Sequence, residues 1–224
     1  MKGHVKRILL FGPPGAGKGT QAAAIADRLG IVHVDTGSII RENIRTGTPL
    51  GLEAGAYVEK GELVPDELVI RLIADRLEKP DVADGWLLDG FPRSLEQAKA
   101  LSEMGDGDEP VERVVFIDVP ENLLVERLTS RRICSGCKAV YNLQTMPPSE
   151  PDRCDKCGGR LTQRADDNEE SVRNRFRVYR ESTAPIADYY EEKGLIVRVD
   201  GTGTVGEVTE RIMSALAADR VRTK

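Results

Sequence analysis

Gly12-Pro13-Pro14-Gly15-Ala16-Gly17-Lys18-Gly19-Thr20 is the stretch of sequence that decides the fold. An apolar run, Ile8 to Phe11, precedes it, and an alanine-rich segment, Gln21 to Leu29, follows it, which predicts the order strand, glycine loop, helix. Because Gly15 and Gly17 lack a Cβ atom, the backbone can close around a phosphate, with its N–H groups and the helix N-terminus pointing at the anion. This order predicts a phosphate-binding loop.

The residues at the end of the loop predict contacts with phosphates and a metal ion. We expect Lys18 to reach the outer phosphates and Thr20 to hold Mg²⁺. The strict pattern places Ser or Thr directly after the lysine, whereas Gly19 intervenes here, so the match is to a variant of the loop. The alternative is an ordinary glycine-rich turn, and the predicted strand and helix on either side favour the phosphate loop.

Length and charge limit the classes of protein that this chain can belong to. With 224 residues it can bury a full core, as one large domain or one domain with an insertion. A net charge of -5 argues against a general nucleic-acid binder. The basic start is followed by too few apolar residues for a signal peptide, and no apolar run approaches the roughly 18 residues of a membrane span. We therefore expect a cytoplasmic protein without a membrane or nucleic-acid partner.

Strands alternate with helices along most of the chain. The patterns predict strands over residues 8–11, 31–34, 86–89, 113–118 and 195–199. They predict helices over residues 21–29, 38–45, 49–60, 65–78, 120–132, 168–193 and 204–220, and one that begins at the capping box of Ser94 and Gln97. Thr48 is the predicted N-cap of the helix that Pro49 begins, and Thr204 with Glu207 is a second predicted capping box. This alternation predicts a parallel sheet with helices on both faces, whose ligands bind at the carboxyl ends of the strands.

Four cysteines interrupt this alternation between residues 133 and 163. They form two Cys-x-x-Cys pairs separated by sixteen residues, namely Cys134, Cys137, Cys154 and Cys157. This spacing is typical of a four-cysteine zinc ribbon, in which four thiolates close a tetrahedral, structural site. The alternatives are reduced pairs without metal or two disulfides.

Several further motifs occur along the chain, namely Asp89-Gly90-Phe91-Pro92-Arg93, Asp35-Thr36-Gly37 with Arg41, residues 61–66, Arg164 with Asp166-Asp167, and the Arg173, Arg175 pair. Together with the glycine loop, and in their order along the chain, they resemble the adenylate kinase family, in its bacterial type with a long, zinc-binding lid. The resemblance runs nearly end to end. It implies an α/β fold of the P-loop nucleoside monophosphate kinase type, with a five-stranded parallel sheet and an inserted zinc-ribbon lid. It also implies the reversible reaction MgATP + AMP = 2 ADP.

The resemblance divides the chain into three parts. The core domain comprises residues 1–35, 66–130 and 168–224, the AMP-binding subdomain residues 36–65, and the zinc-binding lid residues 131–167. In the family the lid folds over ATP, which keeps water from the reacting phosphate. The resemblance implies ATP, AMP and ADP as ligands and Mg²⁺ and structural Zn²⁺ as cofactors. It also implies that the protein is a monomer.

The resemblance also assigns roles to individual residues of this sequence. The ATP-binding residues are Gly15, Ala16, Gly17, Lys18, Gly19, Thr20, Arg127, Arg131, Val140, Tyr141 and Gly203. The AMP-binding residues are Thr36, Arg41, Glu62, Leu63, Val64, Gly90, Phe91, Pro92, Arg93, Gln97, Arg164 and Arg175. The catalytic cations are Lys18, Arg93, Arg131, Arg164 and Arg175, while Asp89 orients Mg²⁺ through its waters. Ser38 departs from the family, which commonly has Asp there; Ser can still cap a helix but brings no acidic group.

Some of these residues have a purely structural alternative. Gln97 can complete the capping box with Ser94 instead of, or as well as, binding AMP. Asp166 and Asp167 can begin a helix or join the lid to the core. We interpret Arg173 as a solvated helix charge, and Phe91 and Trp86 as core residues.

Two other functions are consistent with the motifs. One is a nucleoside monophosphate kinase of other base specificity, acting on UMP or CMP or taking GTP as donor. The other is a zinc-ribbon module for nucleic acid joined to a switch-type nucleotide domain, which should present a basic, aromatic face. The ribbon offers one tyrosine and charges of both signs, which disfavours the second.

Overall fold

The computed structural model describes residues 5–59, 64–105, 109–163 and 167–218. Its main feature is a sheet of five parallel strands in the order β2-β3-β1-β4-β8. The strands are β1 (Arg7–Phe11), β2 (Val32–Asp35), β3 (Trp86–Asp89), β4 (Arg113–Asp118) and β8 (Ile196–Asp200). All five strands run within the predicted segments or one residue beyond them. The predicted α/β fold with a five-stranded parallel sheet is therefore confirmed.

Nine helices are described in these residues, and they lie mostly on the two faces of the sheet. They are α1 (Lys18–Leu29), α2 (Thr36–Thr46), α3 (Pro49–Glu59), α4 (Asp66–Leu77), α5 (Leu95–Glu103), α6 (Glu121–Thr129), α7 (Glu169–Val178), α8 (Pro185–Glu192) and α9 (Val205–Ala218). None of the described helices is long and apolar enough to cross a membrane.

Side-chain alternation along the central strands builds one core on each face. Ile8 and Leu10 of β1 pack in a cluster with residues of α1, α6, α7 and α9, whereas Leu9 and Phe11 pack with residues of α4, α5 and α8. All four side chains are at most 4% exposed. Because β1 is buried on both faces, it is a continuous apolar run, as expected for the centre of a parallel sheet. This burial fixes the position of the glycine loop that follows.

The helix caps confirm two sequence predictions and correct two others. The hydroxyl of Thr48 accepts the N–H of Gly51, with Pro49 at the first position of α3, and Thr204 forms the predicted reciprocal capping box with Glu207. At α5 only half of the capping box forms. The hydroxyl of Ser94 accepts the backbone N–H of Gln97, but the side chain of Gln97 accepts the N–H of Arg93 instead of that of Ser94. For α2 the cap is Asp35, which accepts from Gly37 and Ser38, so Ser38 does not cap the helix.

Two predicted helices end differently in the structure. The helix predicted over residues 120–132 stops at Thr129, because Arg131–Cys134 form β5, which pairs with two other strands. The long helix predicted over residues 168–193 is divided into α7, a π-helical turn over Tyr179–Thr183, and α8. Pro185 begins α8, and because it has no N–H it can start a helix but cannot continue one. The predicted end of helix 49–60 and the last residues of helix 204–220 lie outside the described residues.

A second, antiparallel sheet lies in the segment that carries the cysteines, with Cys134 in one of its strands and the other three cysteines in the turns between them. Its order is β6-β5-β7, with β6 at Val140–Asn142 and β7 at Leu161–Thr162. Its own small core consists of Cys134, Tyr141, Cys154 and Leu161. So few apolar groups bury little surface, and the segment needs another source of stability. We call residues 131–163 the cysteine module.

Candidate active site

The glycine loop adopts a backbone that other residues would disturb. Gly12 has φ 137°, and a Cβ there would lie 2.6 Å from the carbonyl oxygen of Ile117. Gly17, with φ 92°, is the N-cap of α1. Because glycine has no side chain to cap the helix, the N–H groups of the first turn remain available to an anion. The loop therefore has the backbone geometry of a phosphate-binding site.

Lys18 lies inside this loop. Its ammonium group donates to the carbonyl oxygens of Gly12 at 2.7 Å and Pro13 at 3.0 Å. Burial lowers the pKa of Lys18 to about 8, the Asp89 carboxylate opposes that shift, and the charges of three arginines add to it. These are Arg93, Arg175 and Arg131. The charges of these arginines act on Lys18, so four cationic side chains from distant parts of the sequence lie near one another, in a region that we call the crevice.

Asp89, at the end of β3, lies against the loop at Gly19. A Cβ at residue 19 would be 3.3 Å from Oδ2 of Asp89, so a serine or threonine there would crowd the carboxylate. A hydroxyl and a carboxylate are hard oxygen donors, which suit Mg²⁺. The residues at this position therefore fit the expected magnesium ion.

The segment after β3 turns Arg93 into the crevice. Gly90 has φ 86° and accepts a hydrogen bond from Nε of Arg93 at 2.8 Å, while a cis peptide joins Phe91 and Pro92. The side chain of Arg93 is exposed to solvent, although desolvation by neighbouring protein atoms lowers its pKa, and a guanidinium keeps its charge at any physiological pH. The ring of Phe91 is 2% exposed and belongs to the core, as does that of Trp86, which confirms the core interpretation.

Gln97, one turn into α5, is bonded at both ends of its amide. Nε2 donates to Asp66 at 2.7 Å, and Oε1 accepts from the backbone N–H of Arg93 at 2.7 Å. Thr36 is nearby in the fold, since its hydroxyl donates to the carbonyl oxygen of Asp89 at 3.1 Å. Thr36 and Gln97 are each 3% exposed. Val64 packs, partly buried, against the same core cluster as Phe91.

Arg41 projects from α2 on the same side of the sheet. Its guanidinium donates to the hydroxyl of Ser38 at 2.9 Å and to Asp35 at 3.4 Å, and its side chain is 65% exposed. Ser38 in turn donates to Asp35. Ser38 therefore links the helix cap to Arg41, a role that its hydroxyl fills without a carboxylate.

Asp167 holds two of the predicted catalytic arginines together. Its carboxylate is fully buried and accepts two hydrogen bonds from Arg131, at 2.8 and 2.6 Å, and one from Arg175 at 3.1 Å. Arg131 begins β5 and Arg175 lies on α7, so this carboxylate joins the cysteine module to the core. By contrast, Arg173 pairs with Glu169 and is 77% exposed, as a solvated helix charge should be.

The residues predicted near the ATP base are divided between two places. Arg127 donates to the carbonyl oxygen of Gly201 at 3.0 Å, beside Gly203, and burial lowers its pKa. Tyr141 instead lies inside the cysteine module, where it is 6% exposed, and the neighbouring Val140 is 38% exposed. The ring of Tyr141 is thus enclosed by the module rather than presented to the crevice.

The two Cys-x-x-Cys pairs form equivalent turns. The N–H of Lys138 donates to the carbonyl oxygen of Cys134 at 3.1 Å, and that of Gly158 donates to Cys154 at 2.8 Å. Lys138 and Gly158 both have positive φ, 62° and 71°. A Cβ on Gly159 would lie 2.9 Å from the sulfur of Cys134, which explains the glycine there.

The four sulfur atoms lie close enough for one metal ion. They are within 4.8 Å of one another, and the pairs Cys134–Cys157 and Cys137–Cys154 are 3.4 and 3.5 Å apart. A disulfide needs about 2.05 Å, whereas tetrahedral zinc with bonds of about 2.3 Å separates its sulfurs by about 3.8 Å. The residues therefore fit a structural zinc ion.

Three predicted site residues, Glu62, Leu63 and Arg164, lie outside the described residues, as does Asp166. One residue of the site, Asp66, was not identified from the sequence as a contact. Its position directly after the predicted AMP-binding segment was the available signal, but its link to Gln97 depends on how α4 packs beside α5.

Comparison with known proteins relates the whole chain to one family. A family model described as adenylate kinase matches residues 10–195. The adenylate kinase of Archaeoglobus fulgidus is 49% identical over 93% of this chain and 97% of its own length. The adenylate kinase of Moorella thermoacetica is 49% identical over 95% and 99%, and that of Clostridium perfringens strain SM101 is 45% identical over 96% and 100%.

Proposed function

The chain belongs to the adenylate kinase family, and on this basis we propose that it transfers the terminal phosphoryl group of MgATP to AMP, giving two ADP. The observation that carries the proposal is the glycine loop that encloses the ammonium group of Lys18, with Asp89 against it and the charges of Arg93, Arg131 and Arg175 nearby. A protein of net charge -5 gathers these cations where the glycine loop can hold phosphates. Such a site suits two phosphate-bearing substrates.

The reaction requires little covalent chemistry from the protein. An oxygen of the AMP phosphate attacks the γ-phosphorus of ATP, and the bond from that phosphorus to the β–γ bridging oxygen breaks. The bridging oxygen leaves with its electron pair on ADP, while the acceptor becomes the second ADP. Since the nucleophile is already an anionic oxygen, no protein base is needed, and catalysis consists of positioning and charge neutralisation.

The cations are suited to that task in different ways. Lys18 gives a compact charge within the loop, whereas a planar guanidinium can bind two phosphate oxygens at once. We assign Lys18 and Arg131 to the ATP phosphates and Arg93 and Arg175 to the phosphates nearer AMP. Arg164, which the family resemblance implies, joins them in this assignment.

We assign Gly15–Thr20, at the loop and the helix N-terminus, to the ATP phosphates. We assign Arg127 and Gly203 to the adenine of ATP. Thr36, Arg41, Val64, Gly90 and Gln97 form the proposed AMP side, with Glu62, Leu63 and the backbone at Phe91 and Pro92. Mg²⁺, held by Thr20 and through water by Asp89, supplies charge neutralisation on the phosphate oxygens when bound.

We assign Zn²⁺ to the four cysteines as a structural ion. Metal free energy in zinc-finger peptides is about 10 to 16 kcal/mol at neutral pH, and the module has few other sources of stability. The connection from Arg131 through Asp167 to Arg175 supports a lid whose position is coupled to the phosphate-binding arginines. On this proposal residues 131–167 are the lid and residues 36–65 the AMP-binding subdomain.

The proposed state is a monomer in the cytoplasm, with ATP, AMP and ADP as ligands. The family resemblance supports the monomer. Free thiols arranged around one point support a reducing compartment.

The test is product analysis with MgATP and each of AMP, CMP, GMP and UMP, with nucleotides separated by chromatography. We expect ADP to form in a ratio of two per AMP consumed, and far less product with the other acceptors. A preference for UMP or CMP would refute the base specificity and leave the phosphate chemistry intact. The relatives, all named adenylate kinase, do not favour that alternative.

A further inference from the structure

The amide of Gln97 is held between two groups whose hydrogen-bonding roles cannot be exchanged. Asp66 accepts from Nε2 and the backbone N–H of Arg93 donates to Oε1, each at 2.7 Å. An ionised carboxylate only accepts and a backbone N–H only donates, so these partners determine which end of the amide is nitrogen. Because Gln97 is only 3% exposed, its amide has little access to water as an alternative hydrogen-bond partner.

Asp66 is itself fixed through its second oxygen. The hydroxyl of Ser94 donates to that oxygen, and the same hydroxyl accepts from the backbone N–H of Gln97 at 3.2 Å. Asp66 is the first residue of α4, while Ser94 is the N-cap of α5. The carboxylate, the hydroxyl and the amide therefore form one network between two helix N-termini.

The held amide still has hydrogen-bonding capacity. A primary amide has two N–H donors and two oxygen lone pairs, and among the described residues the bonds to Asp66 and Arg93 use one of each. One donor beside one acceptor remains. Adenine presents the N1 acceptor beside a 6-amino donor, whereas hypoxanthine and guanine present an N1–H donor beside a 6-oxo acceptor. A base held by its ribose and phosphate matches only one of the two amide orientations.

We propose that Asp66 is a specificity-determining positioning residue, which fixes the Gln97 amide in the orientation that accepts adenine and rejects 6-oxopurines. This inference rests on the proposed function, since it takes AMP as the acceptor and Gln97 as a contact of its base. If the amide rotated by 180°, its oxygen would face the carboxylate and its NH₂ group would face the N–H of Arg93. Both contacts are repulsive, so the orientation is enforced at both ends.

The experiment compares kcat/KM for AMP with that for IMP, both with MgATP, in the native protein and in Asp66→Asn. Asparagine can donate or accept, so it no longer favours one orientation. We expect the preference for AMP over IMP to fall about tenfold or more, the factor that one hydrogen bond to a charged group contributes. Ser94→Ala is the matched control, because it removes the other bond of Asp66 and the cap of α5 but keeps the bond to Gln97. It should lower the melting temperature and keep the preference.

A folded Asp66→Asn protein with the native preference would overturn the proposal. If that variant does not fold, the side-chain amide of Gln97 in the ¹⁵N-labelled native protein decides the matter. One of its hydrogens should exchange slowly with water because it is bonded to Asp66, and rapid exchange of both would overturn the proposal. Failure of the proposed function is a separate result, since the native protein would then not turn over AMP at all.

Discussion

Replacing Tyr141 by phenylalanine removes one oxygen atom that connects the two halves of the cysteine module. The hydroxyl accepts the N–H of Asp155 at 2.8 Å and lies 3.4 Å from the sulfur of Cys154. The ring, which packs in the module's own core, remains. The variant therefore tests a hydrogen bond to a proposed metal ligand with little change in packing.

We expect zinc affinity to fall about tenfold to a hundredfold, the usual effect of removing a group that orients a metal ligand. The loss should lie at the upper end of this range, because the hydroxyl also fixes the backbone of the second Cys-x-x-Cys turn. ADP formation at saturating zinc should stay close to native, since Tyr141 is enclosed by the module.

The assay is competition for zinc with a coloured chelator, followed by melting at fixed free zinc. Tyr189→Phe is the matched control. It removes a hydroxyl that lies 3.0 Å from Ser102, and its ring packs against the core of the main sheet rather than in the cysteine module. It should leave zinc affinity unchanged. Native zinc affinity in Tyr141→Phe would refute this reasoning, and so would a collapse of turnover with zinc fully bound.

The remaining predictions concern the cations and the module's turns. Arg93→Ala should lower kcat about 10²- to 10³-fold by removing one transition-state donor. Arg173→Ala is the control and should be near native, because Arg173 is exposed and pairs only with Glu169 among the contacts described. Steady-state rates are the measurement, and equal kcat values for the two variants would exclude the role of Arg93. Because burial lowers the pKa of Lys18 to about 8, its charge is present below that pH and lost above it. The value of kcat/KM for MgATP should therefore decline above pH 8, which a pH–rate profile flat into the alkaline range would contradict. Gly158→Ala should destabilise the module by about 1 kcal/mol, because residue 158 has a positive φ. Lys138→Gly at the equivalent turn should stabilise it by about 0.5–1 kcal/mol for the same reason. Denaturant unfolding that gave the opposite signs would show that the positive φ does not control the stability of these turns.

The sequence predicted the features that depend on local pattern. The strand before the glycine loop, the caps at Thr48 and Thr204, and the cysteine spacing each follow from a few neighbouring residues. The physical cause of each feature lies within one turn or one strand, so tertiary packing did not alter these predicted features. The fold class followed because alternating strands and helices leave few other arrangements.

Features that depend on distant contacts were missed or misplaced. The helix predicted to reach residue 132 stops early because Arg131–Cys134 pair with strands at residues 140–142 and 161–162. The side chain of Gln97 bonds to Asp66 and to the backbone of Arg93 rather than to the backbone N–H of Ser94, because α4 packs beside α5. The burial of Asp167 between Arg131 and Arg175 likewise depends on the meeting of two segments, which no local pattern specifies.

Incubation of the purified protein with Mg²⁺ and ADP alone tests the central claim most directly. Phosphoryl transfer between two ADP molecules requires both nucleotide sites and no other substrate. Followed by ³¹P NMR, ADP should convert to equal amounts of ATP and AMP without release of inorganic phosphate, and Arg93→Ala should slow both products equally. Unchanged ADP, or AMP accompanied by inorganic phosphate instead of ATP, would contradict the account.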